Sequence, residues 1–228
     1  MADYDLIIRG GSVHDGLGSP ARTADVAVKD GRIAAVGTVT GTAAEEIDAT
    51  GLLVTPGFVD VHTHYDGQAT WSQRLQPSSS HGVTSVVMGN CGVGFAPCKP
   101  AERGLLVQVM EGVEDVPEVV MAEGLPWNWE TFPEYLDALA QRQFDVDVAA
   151  QLPHSALRVY VMGARAATGE PPTAADLAAM RRLTTQAVQA GALGVTTSRN
   201  LMHRTKAGEL APSLHSDEAE LQALADGL

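Results

Sequence analysis

The stretch Asp60-Val61-His62-Thr63-His64-Tyr65-Asp66 carries the densest chemistry in the chain. Alternate side chains of a β-strand point to one face, so Asp60, His62 and His64 would share a side. Two neutral imidazoles together at a strand end are a suitable pair of nitrogen donors for zinc. The spacing alone does not decide the matter. With seven histidines in 228 residues, a His-x-His pair arises by chance in roughly one chain in five, and ordinary buried histidines are the alternative. A second cluster is Met88-Gly89-Asn90-Cys91-Gly92-Val93-Gly94. A lone cysteine is most often a small buried hydrophobe. Set between glycines, Cys91 has another option, close approach to an ion as a thiolate. The same loop is a poor phosphate cradle, because it lacks both the Lys-Ser/Thr pair of a P-loop and the GxGxxG order.

The elements that must hold these residues fall into two parts. The first 54 residues read as a small β lobe. Asp5-Leu6-Ile7-Ile8-Arg9 is a short apolar run ending at Gly10-Gly11, a pair suited to a turn. Asp25–Lys29 and Arg32–Val36 flank Asp30-Gly31, a dipeptide that takes the positive φ angles of a primed hairpin turn. Residues 55–228 change pattern. The run through Phe58-Val59-Asp60-Val61 is continuously apolar enough for a strand buried on both faces, and further runs follow at 83–88, 146–152 and 192–196. Helix signals separate them. Pro100 precedes Leu105, Leu106, Val109 and Met110; Thr131 with Glu134, and Thr173 with Asp176, form capping-box spacings; Ser216 opens a last amphipathic stretch. Strands alternating with helices predict βαβ units and a parallel sheet, about four units in all. A closed eight-stranded α/β barrel needs twice that number, and a small open sheet is the other solution. In such a barrel the C-terminal strand ends carry the chemistry, which is where His62, His64 and Cys91 fall.

Composition limits the partners. Lys and Arg number 15 against 28 Asp and Glu, a net charge of −13 that disfavours nucleic acid and anionic membranes. No apolar run approaches the roughly 18 residues of a membrane span, and Met-Ala-Asp-Tyr-Asp is unlike the start of a secretory signal. Two cysteines, Cys91 and Cys98, make no disulfide framework. The expectation is a cytoplasmic protein.

Thr55-Pro56-Gly57-Phe58-Val59-Asp60-Val61-His62-Thr63-His64 resembles the first barrel strand of the amidohydrolase superfamily, and the segment Val28–Gly37 resembles its N-terminal β lobe. His81–Gly92, with its cysteine after the second strand, is similar to the D-aminoacylase branch, the N-acyl-D-amino-acid deacylases. The likeness extends through Met110–Asp115, Leu152–Arg158, Thr197–Arg199 and His203–Thr205. It implies an amidohydrolase-type (β/α)₈ TIM barrel, of which about the first four βα units are present, preceded by a small β-sandwich lobe. It also implies His62, His64 and Cys91 as ligands of one or two zinc ions, with Asp60 behind them fixing an imidazole. His154 and Arg199 become candidates to face the substrate, Arg199 by gripping a carboxylate. The implied reaction is hydrolysis of a linear amide, an N-acyl-D-amino acid giving a carboxylate and a D-amino acid, through metal-activated water. His14, His81, His203 and His215 read as structural or solvated, and Cys98 as inert.

The sequence also departs from that pattern. The resemblance places further histidines and a catalytic Asp after later strands, beyond Leu228, and Ser72 and Ser80 stand where Asp and a bulkier residue are expected. The chain therefore reads as the N-terminal portion of a longer enzyme, inactive by itself. Two rival readings remain. A cyclic-amide hydrolase of the dihydroorotase or hydantoinase kind shares the His-x-His but commonly bridges its metals with a carboxylated lysine, and no lysine here stands at a strand end. A non-catalytic half-barrel would instead bind a ligand or form a homo-oligomer.

Overall fold

A computed structural model describes residues 2–228. The chain divides into two compact units, Met1–Gly57 and Phe58–Leu228.

The first unit is a five-stranded sheet. Its strands are β1 (Tyr4–Val13), β2 (Arg22–Lys29), β3 (Arg32–Gly37), β4 (Ala43–Asp48) and the short β5 (Leu53–Val54). The order is β3-β2-β1-β4, with β5 also on β1. The β2–β3 hairpin turns at Asp30 and Gly31, both with positive φ (51° and 70°), as the dipeptide predicts. Gly10-Gly11 does not end the first strand. β1 runs through the pair, and its register against β2 shifts between Ile8 and Gly11. The pair is a bulge, not a turn. Gly10 takes a positive φ, and a Cβ on Gly11 would sit 2.4 Å from a Val54 methyl carbon, so close strand packing also demands glycine. Ile7, Ala27 and Val39 form the core of this unit.

The second unit alternates strands and helices. It comprises β6 (Phe58–Asp60), α1 (Gln68–Trp71), β7 (Val83–Met88), α2 (Arg103–Glu114), α3 (Glu118–Gly124), α4 (Phe132–Ala140), β8 (Asp147–Ala150), β9 (Leu152–Pro153), α5 (His154–Met162), α6 (Ala174–Gln189), β10 (Val195–Thr196) and α7 (Glu218–Ala225). β6, β7 and β8 pair in parallel in that order, and β9 pairs in parallel with β10. Both capping boxes form. Thr131 Oγ1 accepts the Glu134 N–H while Glu134 accepts the Thr131 N–H, and Thr173 and Asp176 repeat the arrangement. The last helix is capped by Asp217, one residue later than expected, because Ser216 Oγ donates to Ser213 O instead.

One core fills the space between these strands and helices, with Met88, Leu106, Met110, Leu152, Leu157 and Met180 at most 2% exposed. The expectation that the first barrel strand is buried on both faces does not hold. Phe58 and Val59 are 60% and 59% exposed, because β6 has a neighbour, β7, on one edge only among the described residues. No described helix is long and apolar enough to cross a membrane.

Candidate metal centre

β6 ends at Asp60, so His62 and His64 stand on the segment that leaves the strand. That segment is tied to β7, with Thr63 N–H donating to Val87 O at 3.0 Å and Thr63 Oγ1 donating to the same oxygen at 2.8 Å. The tie brings the two imidazoles together, ring centroids 5.4 Å apart. Cys91 arrives from the turn after β7. Its φ is 55°, in the left-handed region that non-glycine residues rarely adopt. Gly89 beside it could carry no side chain, since a Cβ there would lie 2.1 Å from Gln151 O. Asn90 locks the turn by donating from Nδ2 to Thr63 O and Val87 O, and by accepting from Gln151 Nε2. A strained cysteine held by its surroundings is what a site with a demanding geometry looks like.

The outcome is one cluster. Donor atoms of His62, His64 and Cys91 all lie within 4.8 Å of one another, and it is the one such cluster among the described residues. Cys91 Sγ is 3.3 Å from His62 Nε2.

The electrostatics favour a cation at this place. Burial, then repulsion from His62 and His203, pushes His64 down to about 4, so its imidazole is neutral at pH 7 and free to ligate. Burial, then the charges of Glu114 and Asp66, pushes the Cys91 thiol up. Burial likewise raises Asp66 and Glu114, each to about 7. Acids held against ionisation around the neutral His64 imidazole are a pattern that a dication would relieve. Two imidazole nitrogens and a cysteine sulfur match the ligand types of zinc. A cavity of about 150 Å³ adjoins His64, lined by Gln68 and by the apolar side chains of Trp71, Phe95, Met110, Val116, Val120 and Met121.

The other expected residues are placed as follows. Asp60 does not support either imidazole ring. Its carboxylate accepts from Ser78 Oγ at 2.9 Å and from the His62 backbone N–H at 3.5 Å, because the strand stops at Asp60 and the alternation of faces stops with it. His154 is held inside the unit. It opens α5 and is wholly buried, with Nε2 2.7 Å from Glu220 and Nδ1 2.8 Å from Thr197 Oγ1. Arg199 is exposed and spends a guanidinium N–H on Ser216 O at 2.8 Å. Cys98 is buried, and its thiol is pushed up to about 12, in keeping with an inert role.

Two residues of this region escaped the motif reading. Glu114 Oε1 lies 3.2 Å from His64 Nε2, and His203 comes close enough for its charge to oppose that of His64. The only available signal was their place in segments that share the family likeness, Met110–Asp115 and His203–Thr205.

Residues 45–228 match the family model described as "Amidohydrolase family". The chain belongs to this family. Within it, the chain is 39% identical over 197 residues to a D-aminoacylase of Alcaligenes xylosoxydans xylosoxydans, covering 85% of this chain and 37% of that protein. It is 40% identical over 199 residues to an N-acyl-D-aspartate deacylase of the same organism, covering 86% and 37%. The fold matches the crystal structure of an N-acyl-D-glutamate deacylase from Bordetella bronchiseptica, complexed with zinc and a phosphonate inhibitor. That match has a TM-score of 0.71 at 33% identity and covers 97% of this chain and 42% of the other. The parallel strands and helices of residues 58–228 are thus a part of the amidohydrolase fold, and the chain spans well under half the length of these relatives.

Proposed function

We propose that His62, His64 and Cys91 hold a zinc ion, and that the protein hydrolyses N-acyl-D-amino acids. The convergence of these three donors within 4.8 Å carries the reading. The named activities of the relatives supply the substrate class, a small acylated amino acid. In the reaction the amide C–N bond breaks, a water oxygen joins the acyl carbon, and a proton passes to the departing nitrogen. Zinc, when bound, polarises the amide carbonyl and lowers the pKa of water at the site.

The chain's own residues do the rest. His64, neutral at pH 7, offers its lone pair without first losing a proton. Cys91 contributes negative charge once its thiol ionises against the dication. The Gly89–Gly92 turn lets the backbone approach closely enough to aim Sγ. Residues 1–54 form a small β lobe, and residues 55–228 carry the metal donors on the segments that leave the first two barrel strands. A cytoplasmic setting, where an unpaired thiol stays reduced, belongs to the same proposal.

Zinc content of purified protein is the test. Stoichiometric zinc that is lost in Cys91→Ala supports the deacylase reading. Zinc retained in that variant would overturn the cysteine's role and point to a centre of the cyclic-amide-hydrolase kind.

A further inference from the structure

Glu114 closes the last turn of α2, and that turn is held from several sides. Asp115 follows in the left-handed conformation, its N–H donating to Glu111 O at 3.1 Å. Gly112 packs directly on the backbone of 204–206, where a Cβ would lie 2.2 Å from Arg204 O. Lys206 N–H donates to Gln108 O at 3.2 Å, and Lys206 Nζ lies 2.5 Å from Glu111 Oε1. A carboxylate on so constrained a turn has little freedom to choose its partner.

That partner is His64. Glu114 Oε1 stands 3.2 Å from His64 Nε2, with the two side chains only 22% and 16% exposed. His64 Nδ1 is buried with no protein partner, so the Glu114 contact is the ring's only close polar contact among the described residues. Asp60 is already engaged by Ser78 and the His62 backbone. His62 in turn has Cys91 against its Nε2. Each imidazole is therefore met by one anionic or ionisable group, and the two groups come from different elements. Two neutral imidazoles, one thiolate and one carboxylate together balance the charge of a dication.

We propose that Glu114 is the positioning carboxylate of this centre, fixing the His64 imidazole for the metal and supplying the second negative charge beside Cys91. The proposal rests on the metal-binding reading above. Carboxylates that orient ligating histidines typically contribute 10–100-fold in metal affinity.

Zinc affinity of the metal-stripped chain, measured by competition with a chromophoric chelator, tests it in wild type, Glu114→Gln, His64→Ala and the double variant. Thermal unfolding without metal confirms that each is folded. The expected result is an affinity about 10–100-fold weaker in Glu114→Gln, with no further loss when the same change is made on His64→Ala. Unchanged affinity in Glu114→Gln, or losses that simply multiply in the double variant, would overturn the role assigned to Glu114. Failure of the wild-type chain to bind zinc would instead overturn the metal-binding reading on which it stands.

Discussion

His154 Nε2 and Glu220 Oε1 meet at 2.7 Å with both side chains wholly buried, 66 residues apart in sequence. Arg158 joins from the next turn of α5 and bonds the other oxygen of the same carboxylate. The cluster pins α7 to α5 through charge rather than apolar contact. It also holds Thr197 at the end of β10 through His154 Nδ1. Burial pulls the Glu220 carboxyl upward, while His154 and Arg158 pull it below the usual carboxylate range, and the net direction is down. Removing one member leaves the others charged or polar and unpaired in the interior, a cost of about 3–5 kcal/mol. Glu220→Ala should therefore destabilise the protein by that amount in urea unfolding. A loss below about 1 kcal/mol, the scale of an exposed pair, would show that the cluster is not buried as described.

The Cys91 turn depends on a glycine that no other residue can replace. Gly89 combines φ of 84° with a site where a Cβ would lie 2.1 Å from a backbone oxygen, which cannot move aside as a flexible side chain could. Gly89→Ala should cost at least about 2 kcal/mol through forced backbone shifts. It should also abolish zinc binding by re-aiming Cys91. Gly104→Ala provides the contrast, because nothing lies within 4 Å of its Cβ position. That change in α2 should stabilise slightly through helix propensity. Equal effects of the two substitutions would contradict the steric account.

Local signals were legible where local chemistry decides the structure. Asp30-Gly31 turns a hairpin because few other dipeptides take two positive φ angles, and Thr131 and Thr173 cap helices because their partners lie three residues on. The His-x-His and the cysteine between glycines announced a site for the same reason, since donor types and backbone freedom are written into the residues. What could not be read was anything set by tertiary neighbours. Gly10-Gly11 has the composition of a turn and becomes a bulge because β2 continues alongside it. His154 looks like a residue for a strand-end site, yet Glu220, 66 residues away, draws it inward. Asp60 shares the alternation of the histidines only as far as the strand lasts. Glu114 reaches His64 across 50 positions, and no spacing rule connects a helix end with a strand exit.

Metal should act on stability as well as on chemistry. A ligand bound to the folded chain alone adds RT ln(1 + [L]/Kd), about 2.7 kcal/mol at a hundredfold excess over Kd. For a protein of this size each kcal/mol moves Tm by roughly 2–4 °C. Chelation of the zinc-loaded chain is thus expected to lower Tm by about 5–10 °C. Cys91→Ala, lacking a donor, should melt at the same temperature with and without chelator. An equal response of variant and wild type would mean that the chelator acts elsewhere.

Asp25 gives the first unit a defined response to acid. Its carboxylate accepts the Gly10 N–H at 2.9 Å and the Val39 N–H at 3.2 Å, and the Arg9 guanidinium stands at 3.4 Å. The backbone donors, Gly10 first, hold its pKa below the usual carboxylate range, with Arg9 adding to them against the opposing effect of burial. A depressed folded-state pKa contributes stability above the unfolded value, near 3.9 for Asp. The contribution disappears as pH falls through the folded-state value, which lies lower still. The same hydrogen bonds secure the bulge at Gly10, so protonation should loosen β1 first where Gly10 sits. Asp25→Asn is expected to cost about 1–2 kcal/mol at pH 7, the range for a charge-assisted hydrogen bond weakened to a neutral one. The gap between wild type and variant should narrow as pH falls below the unfolded value near 3.9, and close only once pH has passed below the lower folded-state value. Hydrogen exchange of the Gly10 amide, followed in both proteins from pH 7 to pH 3, reads this directly after correction for intrinsic rates. A gap that stays constant across that range would show that Asp25 acts by shape alone and not by charge.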